Sequence, residues 1–455
     1  MKIIVLGAGQ VGSTVAQNLA SEHNDVTVVD TDMNTLQELQ NRIDLRTVFG
    51  HAAFPDVLRQ AGAEDADMII AATNSDETNM IACQIAYTLF KTTSRIARVR
   101  SQEFLAEKSL FQKKHIPIDV LISPERLVTD HIERIIQHPG AIQVVDFADG
   151  RVRLVGVTAE TSAPMTGKPV NEIHKMLPNV GVCIAAVYRD NQPITPDQAV
   201  VQSGDIVFYI AAKGNTVAIM EFFHKTDKPS KHVMIAGGGN IGMALACRLE
   251  TKYRVKIVER DQQRADHLAE SLDNALVLCG DVADQDLLLE EHVNSMDLFC
   301  ALTNDDEANI LSAMVAKKMG ARSVMSLINR PAYVDLVERD FIDVAISPHN
   351  VTIGGLLRHV RRGDVVAVHS LRRGMAEALE AIAHGDKETS EVVGRQISEL
   401  PLGEGTIIGA VVRGNQVIIG YSDLEIEAED HVIVFVTDKS LIPDVENLFQ
   451  VGATY

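Results

Sequence analysis

Lys2-Ile3-Ile4-Val5-Leu6-Gly7-Ala8-Gly9-Gln10-Val11-Gly12 opens the chain, and its reading decides the fold. Four consecutive apolar residues, Ile3 to Leu6, predict a strand that stops at a glycine turn. Val11, Val15, Ala16 and Leu19 then fall at helical spacing, and a second apolar run, Val26-Thr27-Val28-Val29, closes on Asp30. Strand, glycine turn, helix and a strand ending in an acid make a dinucleotide-binding fingerprint. Gly7 permits the tight turn, Gly9 lets backbone approach a pyrophosphate, and Gly12 lets the helix pack close on the strand. Ala8, Gln10 and Val11 complete the cradle, in which free N–H groups and the positive end of the helix dipole meet the phosphates. Asp30 can accept both hydroxyl hydrogens of an adenosine ribose and repels a 2′-phosphate, which predicts NAD rather than NADP.

The pattern is written twice. Val233-Met234-Ile235-Ala236 leads into Gly237-Gly238-Gly239-Asn240-Ile241-Gly242, and Val255 to Val258 closes on Glu259. The offset from Gly7 to Gly237 is 230 residues, and the same offset relates Gly50 to Gly280. It also relates Thr73-Asn74-Ser75-Asp76-Glu77-Thr78-Asn79 to Thr303-Asn304-Asp305-Asp306-Glu307-Ala308-Asn309, which share five of seven letters. A lone GxGxxG arises by chance; two copies, each between a strand and a helix and each with an acid on the next strand, do not.

Asp67 to Ala72 reads as a strand buried on both faces, as parallel sheets require. Alternating strands and helices with right-handed crossovers predict a doubly wound sheet whose crevice lies at the carboxyl ends of its strands, where Thr73 and Asn74 stand. Asn74 and Glu77, three apart, predict a capping box for the next helix. Arg98 and Arg100 alternate on a later strand, a pattern that suits surface ion pairing first and a reach of one of them to a phosphate second. Each nucleotide unit ends alike, in Ile118 to Pro124 and in Ile342 to Pro348. The helix after Ser123-Pro124 has a continuous apolar stripe, which suits either its own sheet or a neighbour's. From Ile142 the composition turns β-rich, and this lobe too has a double: Gly167 to Ile173 resembles Gly394 to Leu400, and Ala186 to Asn191 resembles Ala410 to Asn415. Lys225 to Lys231, basic and broken by Pro229, reads as the hinge.

The expected fold is therefore α/β: two tandem Rossmann-like doubly wound parallel-sheet domains, each followed by a small β-rich α+β C-terminal lobe. The boundaries are a nucleotide-binding domain at 1–123, a lobe at 140–224, a second nucleotide-binding domain at 232–348 and a second lobe at 369–453. A formal charge of −20 disfavours nucleic acid and anionic lipid as partners. Five scattered cysteines without CxxC spacing fit free thiols in a reducing compartment. The histidines lack metal-ligand spacing. No apolar run reaches the ~18 residues of a membrane span, and the first strand follows Met1 without a signal segment, so a cytoplasmic protein is expected.

Taken together, the glycine turn, Asp30, the Thr73 to Asn79 phrase and Ser123-Pro124, each repeated and each followed by a small lobe, resemble the RCK (KTN) domains that regulate potassium conductance. The tandem arrangement is similar to the peripheral regulatory subunits of bacterial Trk potassium uptake systems. That resemblance implies a homotetrameric ring on the cytoplasmic side of the inner membrane, docked under a TrkH- or TrkG-type subunit. It implies NAD(H), and often ATP or ADP, in the crevices. The contacts carried over are Gly7 to Val11, Asp30, Thr73, Asn74 and Arg98 in the first half, and Gly237 to Ile241, Glu259 and Thr303 in the second, with Gly12 and Gly242 completing the turns. The halves differ: His51 stands where the second has Asp281, and no arginine matches Arg98.

Two alternatives share the fold. A dehydrogenase needs a substrate domain that sets a general acid or base against the nicotinamide, and no His, Lys or Tyr phrase recurs at the strand ends. A nucleotide-sensing scaffold outside transport needs only the fold.

Overall fold

The computed structural model describes residues 1–455 except 22–23, 179, 191, 197–198, 225–230, 331, 335–340, 358, 360–364, 372–375, 421–422 and 451–455. The hinge expected at Lys225 to Lys231 thus lies almost wholly outside the described residues. The chain partitions into two compact units, one of residues 1–127 with 349–360, the other of 128–348 with 361–455.

The first unit is built on six parallel strands, β1 (Lys2–Leu6), β2 (Asp25–Asp30), β3 (Arg46–Phe49), β4 (Met68–Ala71), β5 (Ser94–Arg98) and β6 (Val120–Ile122). Their order is β3-β2-β1-β4-β5-β6, so the chain reverses direction between β1 and β4, where a crevice opens at the carboxyl ends. The helix Gln10–Ser21 buries Gly12, Val15, Ala16 and Leu19, and Val11 is only partly covered. Its apolar face joins Ile3, Val5, Val26 and Val28 in one core. Ile353 and Leu356, from the helix Pro348–Leu357 far along the chain, complete that core. A Cβ added to Gly355 would come within 2.7 Å of Leu127 Cδ1, so the helix needs glycine there to lie this close.

The second unit holds the repeated sheet and both small lobes. β12 (His232–Ala236), β13 (Arg254–Glu259), β14 (Leu276–Cys279), β15 (Leu298–Ala301), β16 (Ser323–Leu327) and β17 (Val344–Ile346) pair as β14-β13-β12-β15-β16-β17, the first sheet's order. The helix Pro124–Ile136 contributes most of its length to this unit. Arg248, in the last turn of the helix Asn240–Leu249, donates to Asp130 and to Glu133 (3.3 Å) on it. Of the two destinations open to the helix after Ser123-Pro124, it takes the neighbouring half.

The lobes are antiparallel sheets. The first comprises β7 (Ala141–Phe147), β8 (Val152–Thr158), β9 (Val182–Arg189), β10 (Gln192–Ile194) and β11 (Ile206–Ala212), in the order β10-β9-β11-β8-β7. The second comprises β18 (Val365–Leu371), β19 (Ala376–Ile382), β20 (Thr406–Arg413), β21 (Gln416–Ile419) and β22 (His431–Val436), in the order β18-β19-β22-β20-β21. Each carries a buried aspartate gripped by a two-pronged arginine, Arg189 on Asp205 (2.8 and 2.8 Å) and Arg413 on Asp430 (2.9 and 2.7 Å). The two lobes share one core, where Phe208 packs on Phe435 at 6.0 Å between ring centres. Ala148 N–H donates to Glu380 (2.8 Å) across the same contact.

Candidate functional site

Each crevice is assembled from a glycine turn, an acid and a strand-end threonine. In the first, Gly7 has φ +102°, a left-handed conformation that favours glycine, and its N–H donates to Val29 O at 2.8 Å. A Cβ on Gly12 would lie 1.9 Å from Gly7 O, whereas nothing lies within 4 Å of a Cβ on Gly9. Gly12 is thus required by packing, while Gly9 faces open space. The first N–H bonded within the helix is that of Ser13, to Gly9 O (2.9 Å), which leaves the start of the helix directed at the crevice. Asp30 is partly buried; one oxygen accepts from Ala8 N–H (2.5 Å) and the other from Asp32 N–H (2.9 Å). Each oxygen keeps a further lone pair for a ribose hydroxyl.

The second crevice repeats this. Gly237 has φ +105° and donates to Val258 O (2.8 Å); Gly242 would meet Gly237 O at 2.0 Å, and Gly239 is open. Glu259 accepts from Gly238 N–H (2.7 Å) and Asp261 N–H (2.9 Å), as Asp30 does at the same register of the first sheet. Asn240 and Ile241 begin the helix, as Gln10 and Val11 do. Gly238 replaces Ala8 because Leu268 Cδ1 would lie 2.2 Å from a Cβ there.

Thr73 lies just past β4, beside the turn: a Cβ on Gly7 would touch its backbone at 3.0 Å. It is held by Asn79, wholly buried, whose Oδ1 accepts from Thr73 N–H (3.0 Å) and Oγ1 (2.6 Å). Asn79 Nδ2 donates to Arg98 O (2.9 Å), which ties the ends of β4 and β5 together. Asn309 does the same for Thr303 and Leu327. The capping box expected of Asn74 and Glu77 is not formed. Ser75 caps the helix Asp76–Ile85 by accepting from Thr78 N–H (3.1 Å), and Asn74 is exposed. The cap falls one residue later because Thr73 and Asn79 hold the preceding turn closed.

Arg98 ends β5, partly buried at the crevice. Burial, followed by the neighbouring Arg100, pulls its guanidinium below the usual range, with Glu125 and Asp76 opposing. Its Nε is buried without a hydrogen-bond partner. Arg100 lies beyond the strand and donates to Asn74 O, while Asp76 accepts its N–H (2.8 Å). In the second half Leu327 stands at the register of Arg98, so that cation is absent there. His51 and Asp281 are both exposed and do one local task, each accepting from the N–H two residues on (3.3 and 2.9 Å). Sequence reasoning missed Asp76, Asn79 and Arg264; the recurrence of Asp76 and Asn79 at the 230-residue offset was the signal available for the first two. Among the described residues no cluster of metal-ligating side chains occurs and no helix is long and apolar enough to cross a membrane.

Comparison with known proteins finds both nucleotide-type units and part of the second lobe. The TrkA-N domain model matches residues 3–124 and 233–348, and the TrkA-C domain model matches 386–450. The Trk system potassium uptake protein TrkA of Halomonas elongata is 55% identical over 100% of both chains, and that of Vibrio alginolyticus is 54% identical over 99% of both. The chain belongs to the TrkA family. Among solved structures, the RCK domain of GsuK superposes with a TM-score of 0.61 at 18% identity, covering 98% of this chain and 94% of that one. The GsuK channel bound to NAD gives 0.60 over 98% and 78%. The tandem RCK fold expected from the repeated turns is therefore the fold of this TrkA family member.

Proposed function

We infer that the chain is a non-catalytic, nucleotide-binding regulatory subunit of a Trk-type potassium uptake system. The observation that carries this reading is the pair of glycine turns whose acids grip the turn's own N–H groups, in a chain of the TrkA family. Gly9 and Gly239 leave open cradles before helix starts, and Asp30 and Glu259 face the ribose position, so these residues fit NAD(H). A nucleotide bound there supplies anionic phosphates and a ribose diol. The turn holds the first and the acid the second. ATP or ADP fits the same cradle, with Arg98 beside the phosphates of the first crevice.

The subunit acts as a homo-oligomer, a tetrameric ring, at the cytoplasmic face of the membrane beneath a TrkH- or TrkG-type translocating partner. Exposed Ile81 and Leu89 on the first half, and Leu311 on the second, offer apolar surface to further copies. Regulation requires that a nucleotide bind two ring shapes unequally, since one that binds both alike shifts nothing.

Calorimetric titration of the full chain with NAD⁺, NADH, ATP and ADP, beside Gly9→Asp and Gly239→Asp, with oligomer mass recorded, tests this. Saturable binding without cofactor turnover, lost at the substituted turn, is the expected result. A folded oligomer that binds none of the four overturns the reading, and turnover would return the dehydrogenase.

A further inference from the structure

The two crevices differ at the residues that follow each acid. After Asp30 the chain runs Thr31-Asp32-Met33-Asn34-Thr35; after Glu259 it runs Arg260-Asp261-Gln262-Gln263-Arg264. Asp32 and Asp261 occupy the same place and cap the helices that follow. Arg260 and Arg264 therefore stand in register with Thr31 and Thr35.

The structure shows where this matters. Thr35 Oγ1 donates to Asp32 (2.7 Å) and reaches no further. Arg264 instead crosses to the glycine turn, where its Nε donates to Gly238 O (2.8 Å) and its Nη2 lies 3.5 Å from Met243 Sδ. Its guanidinium is thus held on the glycine turn, between Gly238 and Met243 of the helix that follows. In a Rossmann crevice this is the side of the adenosine ribose, where an acid engages the 2′-hydroxyl or a nearby arginine accommodates a 2′-phosphate. Arg260 is exposed at the end of β13, next to Glu259. The ribose end of the first crevice carries Asp30 and Asp32 with no cation in register, whereas that of the second carries Glu259 and Asp261 with two guanidiniums. Glu259 and Asp30 are bound alike by two backbone N–H groups each, so the two guanidiniums are what differs between the crevices at this end.

We propose that the second crevice, unlike the first, accepts a nicotinamide dinucleotide carrying a 2′-phosphate on its adenosine ribose, NADP(H), with Arg264 and Arg260 as the specificity-determining residues. The inference rests on nucleotide binding in these crevices and extends it to the choice of ligand. A phosphate facing one or two guanidiniums gains charge-assisted, fork-shaped hydrogen bonds that a hydroxyl cannot match. Selectivity is the difference between the two affinities, so the ratio of NADP to NAD binding is the informative readout.

The test is calorimetry of the full-length Gly9→Asp variant, in which only the second turn is intact, with NADP⁺, NADPH, NAD⁺ and NADH. NADP(H) binding within tenfold of NAD(H) is expected. Adding Arg260→Thr and Arg264→Thr should weaken NADP(H) at least tenfold and NAD(H) less than threefold. Conversely, Thr31→Arg with Thr35→Arg in the Gly239→Asp background should introduce NADP(H) binding into the first crevice. Failure of Gly9→Asp to bind NADP(H), or equal loss of both ligands in the arginine variants without the converse gain, would overturn the proposal. Nucleotide binding as such survives those outcomes as long as NAD(H) or ATP still binds the wild-type chain. A folded wild-type chain that binds no nucleotide removes both readings.

Discussion

At the scale of the residue, glycines of one motif answer to different forces. Gly12→Ala drives a methyl into Gly7 O, a backbone atom that cannot yield, and should cost about 3 kcal/mol of stability, read from the denaturant midpoint. Gly9→Ala meets nothing in the protein and has an ordinary φ. Its midpoint should stay within about 0.5 kcal/mol of wild type while nucleotide affinity falls at least tenfold, because the methyl stands where a pyrophosphate would approach. If both variants lose only stability, the turn is a packing device. The close packing at Gly12 was legible in the sequence, because the spacing of the turn alone imposes it. Arg264 was not, since its partner Gly238 lies across the turn and no local pattern links them. Thiol chemistry divides in the same way. Burial pushes Cys83 up to about 12 and also raises Cys300 and, with Glu250 adding to it, Cys247; of the three only Cys247 is exposed, as is Cys279. A thiol reagent should therefore label Cys247 and Cys279 in the native protein and reach Cys83 and Cys300 only after unfolding, as peptide mass mapping would show.

At the scale of the element, the strand ends are set by one buried side chain per half. Asn79→Ala leaves Thr73 N–H and Arg98 O without their partner and should destabilise the protein by about 2–3 kcal/mol. It should also weaken nucleotide binding in the first crevice, and the matching Asn309→Ala should do so in the second. The duplicated letters show that Asn79 recurs, but neither its hold on Thr73 nor its reach to β5, because the sequence does not say which strand lies alongside. The capping box failed for a related reason: a cap is chosen by the geometry of the turn before it, which Asn79 controls from within the helix. On the helix Pro124–Ile136, burial and then Arg134 pull His131 from 6.5 down to about 4. Its folded value lies below its unfolded one, so the folded state takes up its proton later. The associated stability is complete above about pH 6.5 and declines as the pH falls toward 4. Urea midpoints at pH 7.5 and 5.0 should differ less for His131→Gln than for wild type. A residual slope is expected from His138 and His349, which burial also depresses.

At the scale of the whole molecule, the lobes are a duplicated pair with one shared core. Phe435→Ala opens a cavity against Phe208 and should cost about 3–5 kcal/mol. The loss should appear in both lobes at once, as hydrogen exchange on β9 and β11 as well as on β20 and β22. Exchange confined to the second lobe would mean that the sheets unfold separately. The repeat made four sheets readable from the letters, since alternating strands and helices differ in period from the β-rich stretches. The shared core was hidden: inward-facing residues of β11 and β22 look alike whether they cover their own lobe or another. The path of the two connecting helices was hidden too, because an apolar stripe does not name the surface it covers.

Those helices constrain how such a chain can have arisen and how it can be cut. The core of the first sheet takes Ile353 and Leu356 from beyond the second sheet, and the helix leaving the first sheet is held by Arg248 of the second. A gene divided at its midpoint would yield two products, each lacking a helix that only the other encodes. Made together they complement one another; made alone, each must borrow that helix from a twin. Joining the two halves in tandem thus keeps within one molecule an exchange that separate halves would have to make between two, and the joined halves differ at Arg98 and Arg264.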